Sequence, residues 1–102
     1  MQAAWYEAIG SAEEVLHVGE MDAPSPMGGE VLVEIKASGV NPSDVKTRAG
    51  ARGELQFPRI IPHSDGGGII VEVGEGVSED RIGERVWIWN GAFGRAYGTC
   101  AE

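Results

Sequence analysis

The run Pro62-His63-Ser64-Asp65-Gly66-Gly67-Gly68 places an imidazole, a hydroxyl and a carboxylate directly ahead of three glycines. Such a set supports either metal ligation by the side chains or phosphate binding by the glycine amides. Dinucleotide phosphates need G-x-G-x-x-G between a strand and a helix, so that backbone N–H groups and the helix N-terminus meet the pyrophosphate. Downstream, Gly74-Glu75-Gly76-Val77-Ser78-Glu79 lacks the third glycine and carries an acid inside the loop. It leads into Glu79-Asp80-Arg81-Ile82-Gly83-Glu84-Arg85-Val86, which is no apolar helix. The triplet Gly66-Gly67-Gly68 is expected just before a strand, the reverse of the order this motif requires. No G-x-x-x-x-G-K-[ST] pattern occurs either. These glycines are not expected to grip a phosphate.

Metal ligation asks for three or four convergent Cys, His or carboxylate ligands. The chain offers His17, His63 and Cys100, with neither C-x-x-C nor H-x-x-x-H. His63 and Asp65 face one side only if the backbone is extended, and two ligands do not complete a site. Ser64 beside His63 makes no nucleophilic pair, because neighbours in a strand point to opposite faces. The histidines are expected to be surface or structural side chains, and Cys100 a small unligated one.

Positioning falls to short strands. The 102 residues suit one domain. Their 16 glycines are spread as punctuation between segments of period two. In Glu30 to Ala37, Val31, Val33 and Ile35 share one face and Glu34 and Lys36 the other. In the next segment Ile69, Val71 and Val73 oppose Ile70 and Glu72. Val86 and Ile88 alternate with Trp87 and Trp89, so that strand is apolar on both faces. Weaker strands are expected within residues 3–9 and 14–21. Many short strands between Gly and Pro turns predict a small antiparallel barrel, which removes exposed edges by closure. One helix is predicted from Asn41 as N-cap, with Pro42 at its first position and Asp44 three residues after the cap. Gly50 is placed to end it in a left-handed conformation. Capping alone explains Asn41 and Asp44 without any function.

Charge removes several partners. Sixteen acidic and 8 basic side chains leave a net charge of −8, which repels phosphate backbones and anionic lipids. The N-terminus has no basic lead and apolar core of a signal peptide, and no apolar run nears the roughly 20 residues of a membrane span. A single cysteine fits a reducing compartment. A cytoplasmic domain that binds neither nucleic acid nor membrane is expected.

Three blocks carry a resemblance. They are Ser38 to Gly50 (SGVNPSDVKTRAG), Phe57 to Val77 (FPRIIPHSDGGGIIVEVGEGV) and Ile82 to Trp87 (IGERVW). In order and spacing they resemble the N-terminal domain of medium-chain dehydrogenases/reductases, and among these the zinc-independent NADPH:quinone oxidoreductases of the zeta-crystallin type. The resemblance implies a mainly β fold, a GroES-like partly open β-barrel with short helical turns. Residues 1–102 then form the N-terminal catalytic domain, incomplete at the closing Tyr97-Gly98-Thr99-Cys100-Ala101-Glu102. The Rossmann nucleotide-binding domain that follows in this family is absent from the chain, which is expected to be a fragment or an unusual standalone protein, inactive alone.

Zinc alcohol dehydrogenases carry a glycine-histidine-glutamate motif before the glycine-flanked strand. Aligned on Gly68, Ser64 stands where that histidine ligates zinc, Asp65 where the glutamate stands, and His63 where glycine is usual. Asn41 stands where the other early zinc ligand is a cysteine. Amides and hydroxyls are poor zinc ligands, so no zinc is expected. The cofactor implied is NADPH, bound mainly by the absent domain, with Asn41 and Ser64 nearest the nicotinamide. Asp44 and Lys46 are the implied substrate-side residues, although Lys46 departs from the tyrosine often found there in quinone reductases. No catalytic side chain is assigned. The implied activity is zinc-free hydride transfer to a small-molecule quinone or enone, by a parent that is a homo-oligomer. Two alternatives stand beside it. An enoyl-thioester reductase needs a proton donor that no tyrosine in residues 41–50 supplies, and a non-catalytic co-chaperonin-like binding module needs a mobile apolar loop.

Overall fold

The computed structural model describes all residues, Met1–Glu102. Strand β1 (Gln2–Trp5) pairs antiparallel with β2 (His17–Glu20), with a single turn of helix, α1 (Ala12–Val15), between them. The second sheet has order β3-β4-β5, antiparallel throughout, with β3 at Val31–Gly39, β4 at Asp65–Val73 and β5 at Arg85–Ile88. Helix α2 (Pro42–Arg48) lies between β3 and β4, and a 3₁₀ turn at Glu79–Arg81 precedes β5. No helix is long and apolar enough to cross a membrane.

The result is mainly β and partly open, two sheets rather than a closed barrel. The C-terminal residues stitch the sheets together. Ala4 N–H donates to the Cys100 carbonyl and Glu102 N–H to the Gln2 carbonyl, both at 2.9 Å, while Ile35 N–H of β3 donates to the Glu102 carbonyl at 2.7 Å. One short segment thereby serves as edge partner to both sheets.

Helix α2 forms as the sequence predicts. Asn41 is extended (φ −121°, ψ 158°) and joins Asp44 in a capping box. Gly50 follows with φ 102°, a conformation that costs glycine nothing. Arg48, in the last turn, donates to the Gly10 carbonyl at 2.6 Å and anchors the helix to the turn before α1.

Three expectations are corrected. Gly66-Gly67-Gly68 do not precede a strand but form part of β4, opposite Ser38, Ala37 and Ile35 of β3. On β4 the strict alternation fails: Ile70 is 1% exposed, and Val71, expected to share a face with Ile69 and Val73, is 41% exposed. The register shift between Leu32/Val33 leaves Val71 without a partner on β3 and brings Val33 opposite Ile70. Finally, residues 63–64 lie outside any strand, and His63 takes a left-handed φ of 75°. The alternation used to separate His63 from Ser64, and to align His63 with Asp65, does not operate there. Helix α1 went unforeseen because four residues are too few to show a helical period. Its Val15 is nonetheless buried.

Candidate active site

Helix α2, the loop through residues 52–65 and the turn after β5 enclose a cleft of about 630 Å³. Asn41, Asp44, Ser64 and Asp65 line it, as do Tyr6, Thr47, His63, Trp89 and Phe93. Charges of both signs, Asp44, Arg52, Glu54, Asp65 and Arg95, share its wall.

The loops meet through Asn41. Its Nδ2 donates to Asp65 Oδ2 at 3.1 Å, and its backbone N–H donates to Asp44 Oδ2 at 2.7 Å. The cap of α2 is thus tied to the first residue of β4. The other Asp65 oxygen, Oδ1, is buried without a hydrogen-bond partner and sits against Gly39, at the end of β3, where an added Cβ would overlap it. A Cβ at residue 39 would force the Asp65 carboxylate to shift. Ser64 is held by its carbonyl, which accepts Gly91 N–H at 2.7 Å.

Of the four sequence-predicted site residues, Asn41, Ser64 and Asp44 come together at this cleft. Lys46 does not line it, and its residue is exposed. With about 3.6 residues per turn, successive side chains of a helix lie about 100° apart, so Lys46 points away while Thr47, one residue on, reaches the wall. The sequence reading missed a second group. Ser38 Oγ lies 2.8 Å from His63 Nδ1 and 2.9 Å from Thr99 Oγ1, and Thr99 Oγ1 donates to the Asp65 carbonyl at 2.7 Å. Thr99 is 4% exposed. Only the position of His63, in a place where the family pattern has glycine, offered a signal. The left-handed conformation costs a side-chain-bearing residue roughly 1–2 kcal/mol, a cost glycine escapes.

Burial, and after it the Asp44 carboxylate, pushes the Tyr6 phenol up, with Arg48 opposing. The same two influences, burial first and then Asp44, raise the Cys100 thiol. A raised thiol carries less thiolate at neutral pH, and the thiolate is the nucleophile. Cys100 is therefore expected to react with iodoacetamide more slowly than an exposed thiol at neutral pH, and to gain reactivity only at more alkaline pH. A neutral-pH rate equal to that of a free cysteine peptide would contradict this arrangement. No group of three His, Cys, Asp or Glu side chains is arranged so that it could hold a metal ion.

Comparison with known proteins agrees with this architecture. Residues 27–102 match the family described as the alcohol dehydrogenase GroES-like domain. The alcohol dehydrogenase class-3 of Cereibacter sphaeroides is 43% identical over 75 residues, 74% of this chain and 20% of that protein. Among solved structures, a mycobacterial quinone oxidoreductase superposes with a TM-score of 0.77 at 29% identity, over 91% of this chain and 29% of that one. A mycobacterial protein solved in complex with NADPH gives a TM-score of 0.76 at 27% identity, over 91% and 29%. The chain spans about a fifth of the length of such sequence relatives and under a third of the solved chains. With three quarters of its residues, 27–102, matched, including the three-stranded sheet and the capped helix, the chain belongs to the alcohol dehydrogenase GroES-like domain family.

Proposed function

We propose that residues 1–102 are the substrate-side domain of an NADPH-dependent oxidoreductase that transfers hydride to a quinone or enone without zinc. The observation that carries this reading is the Asn41 to Asp65 hydrogen bond at 3.1 Å. At the two positions where zinc alcohol dehydrogenases place thiolate and imidazole, this chain has an amide already committed as a donor and a hydroxyl. Zinc prefers anionic sulfur and neutral imidazole nitrogen, so this donor set does not fit it. A quinone has less need of a Lewis acid than a simple carbonyl, because its ring spreads the incoming charge.

The residues fit the uncharged end of a nicotinamide and not its phosphates. The glycine triplet is locked in β4, and the cleft wall carries three carboxylates, Asp44, Glu54 and Asp65, against two guanidinium groups, Arg52 and Arg95. When bound, the reduced nicotinamide supplies the hydride. This chain's part is to hold the acceptor against it, since placing two reactants face to face removes much of the entropic barrier. Asn41 and Ser64 sit where they orient the nicotinamide and the acceptor, Asp44 keeps Asn41 in place, and Trp89 and Phe93 form an apolar lip. The phosphates are held by a Rossmann domain outside these residues. Lys46 keeps a substrate role only if the acceptor extends past the cleft.

The likeness to an alcohol dehydrogenase at 43% identity favours a second reading, zinc-assisted alcohol oxidation. Elemental analysis separates the two. The protein as purified is expected to hold far less than one zinc per chain, and zinc added and then washed with a mild chelator should not be retained. About one tightly bound zinc per chain would overturn the zinc-free reading in favour of the second.

A further inference from the structure

We infer that His63 is the proton-transfer residue of this cleft, locked by Ser38 and Thr99 into the tautomer that leaves Nε2 bare. The assignment follows from counting protons along one chain of hydrogen bonds. The Asp65 carbonyl oxygen can only accept, so the Thr99 hydroxyl proton is committed to it at 2.7 Å. Thr99 Oγ1 is then left to accept from Ser38 at 2.9 Å, which commits the single proton of Ser38. Ser38 Oγ must accept from His63 across the 2.8 Å contact, so Nδ1 carries hydrogen. A neutral imidazole with hydrogen on Nδ1 has an unprotonated Nε2.

The placement suits a function. His63 lines the cleft beside Ser64 and Asp65, with Asp44, Arg52, Glu54 and Arg95 the other charged groups on its wall. Its backbone is held at φ 75° although a side chain is disfavoured there. Strain of this kind persists where the surroundings over-determine it, and it gathers at working sites. Thr99 ties the relay to β4 through a buried hydroxyl, while Ser38 keeps an exposed flank on β3. The relay therefore runs from the cleft to solvent.

The chemistry rests on the reading of the cleft as the acceptor side of a hydride transfer. Bound there, a reduced nicotinamide would supply one hydrogen and two electrons, and an acceptor so reduced carries an anionic oxygen. The His63 imidazolium gives its Nε2 proton to that oxygen, forming the O–H bond as the N–H bond breaks. The ring returns to the neutral Nδ1–H form that Ser38 holds, and solvent replaces the proton. In the reverse direction the bare Nε2 takes the hydroxyl proton. Ser38 and Thr99 are positioning residues.

Imidazole nitrogen NMR on the chain tests the tautomer directly. With His63 neutral, Nδ1 is expected to be protonated and Nε2 bare. Ser38→Ala should shift the balance to Nε2–H, and Ser38→Thr should restore it. A wild-type Nε2–H tautomer, or no response to Ser38→Ala, overturns the assignment. Hydroquinone, used as a hydroxyl donor, should shift the Nε2 resonance in the wild type and not in a Phe93→Ala, Trp89→Ala control at equal concentration; an unmoved Nε2 in the wild type also overturns it. In the full-length enzyme reducing benzoquinone with NADPH, His63→Gly should lower kcat about 100-fold with KM nearly unchanged. Glycine relieves the backbone strain, so a misfolded variant is not the expected cause, and circular dichroism verifies it. An unchanged kcat overturns the proposal while leaving the quinone reading standing. A wild-type enzyme that reduces no quinone instead removes the quinone reading, and the two NMR measurements then decide the role of His63.

Discussion

Gly68→Ala is expected to remove at least half of the chain's stability, while Gly67→Ala, one residue away, is nearly silent. Gly68 lies in the central strand of its sheet, opposite Ile35 on one side and Val86 on the other. A Cβ there would overlap the Glu34 carbonyl oxygen, meet its carbonyl carbon at 2.9 Å and meet Val33 Cγ1 at 2.8 Å. The first two are backbone atoms of the adjacent strand and cannot swing aside as a side chain does. At Gly67 the nearest atom is the Val86 carbonyl oxygen at 3.6 Å, an ordinary contact. Overpacking costs roughly 1–3 kcal/mol when side chains can adjust, and more when backbone must move. We expect about 3 kcal/mol or more at Gly68 and under about 1 kcal/mol at Gly67. Domains of this size sit toward the low end of the usual stability of roughly 5–15 kcal/mol, so the larger loss removes about half of that margin or more. Urea unfolding of the two variants measures it. Equal shifts of the two midpoints would show that the β3-β4 approach is not the close one described.

Trp87→Gln combined with Trp89→Gln is expected to abolish most self-association and hydrophobic-dye binding of the isolated chain. Trp87 is 79% exposed, Trp89 77% and Phe93 79%. The reason for the first lies in the register. Trp87 stands opposite Gly67, so the neighbouring strand offers no side chain to pack against. Strand β5 is also the sheet edge, and an apolar edge strand with unpaired backbone groups promotes association between chains. The core gives little compensation, because only 7 of the 102 residues are buried. The wild-type chain should therefore sediment as a concentration-dependent mixture and brighten a hydrophobic dye, and the double variant should be smaller and dimmer. A wild type that stays monomeric and dye-silent at high concentration would mean that these tryptophans find cover within the chain.

The apolar alternation at Val86 to Trp89 showed that one face of β5 enters the core and that the other needs a cover. It did not show that Gly67 would lie beneath Trp87, because cross-strand partners depend on where bulges shift the register. The same cause breaks the alternation read along β4. Period two put Val71 on one face with Ile69 and Val73, and an irregularity at Leu32/Val33 leaves Val71 without a partner on β3. Helix α2 was legible down to its cap because Asn41, Pro42, Asp44 and Gly50 act within one stretch of backbone.

The site divides along the same line. By itself the sequence determined that the chain is mainly β and that its glycine runs lack the order of a dinucleotide cradle, and its resemblance to the family implies an amide and a hydroxyl where zinc relatives have ligands. These are properties of residue type and local order, and they survive any error in register. Tertiary structure alone decided that Asn41 would bond Asp65 across 24 residues, that Lys46 would face away from the cleft, and that Ser38, His63 and Thr99 would join in one hydrogen-bonded line. Residues 38 and 99 lie 61 positions apart. They meet because the C-terminal segment pairs beside β1 and β3 at once, and because His63 turns left-handed, against the preference of its own side chain, to reach them. No local pattern encodes a contact that depends on two sheets being joined and on a strained residue being held in place by its neighbours.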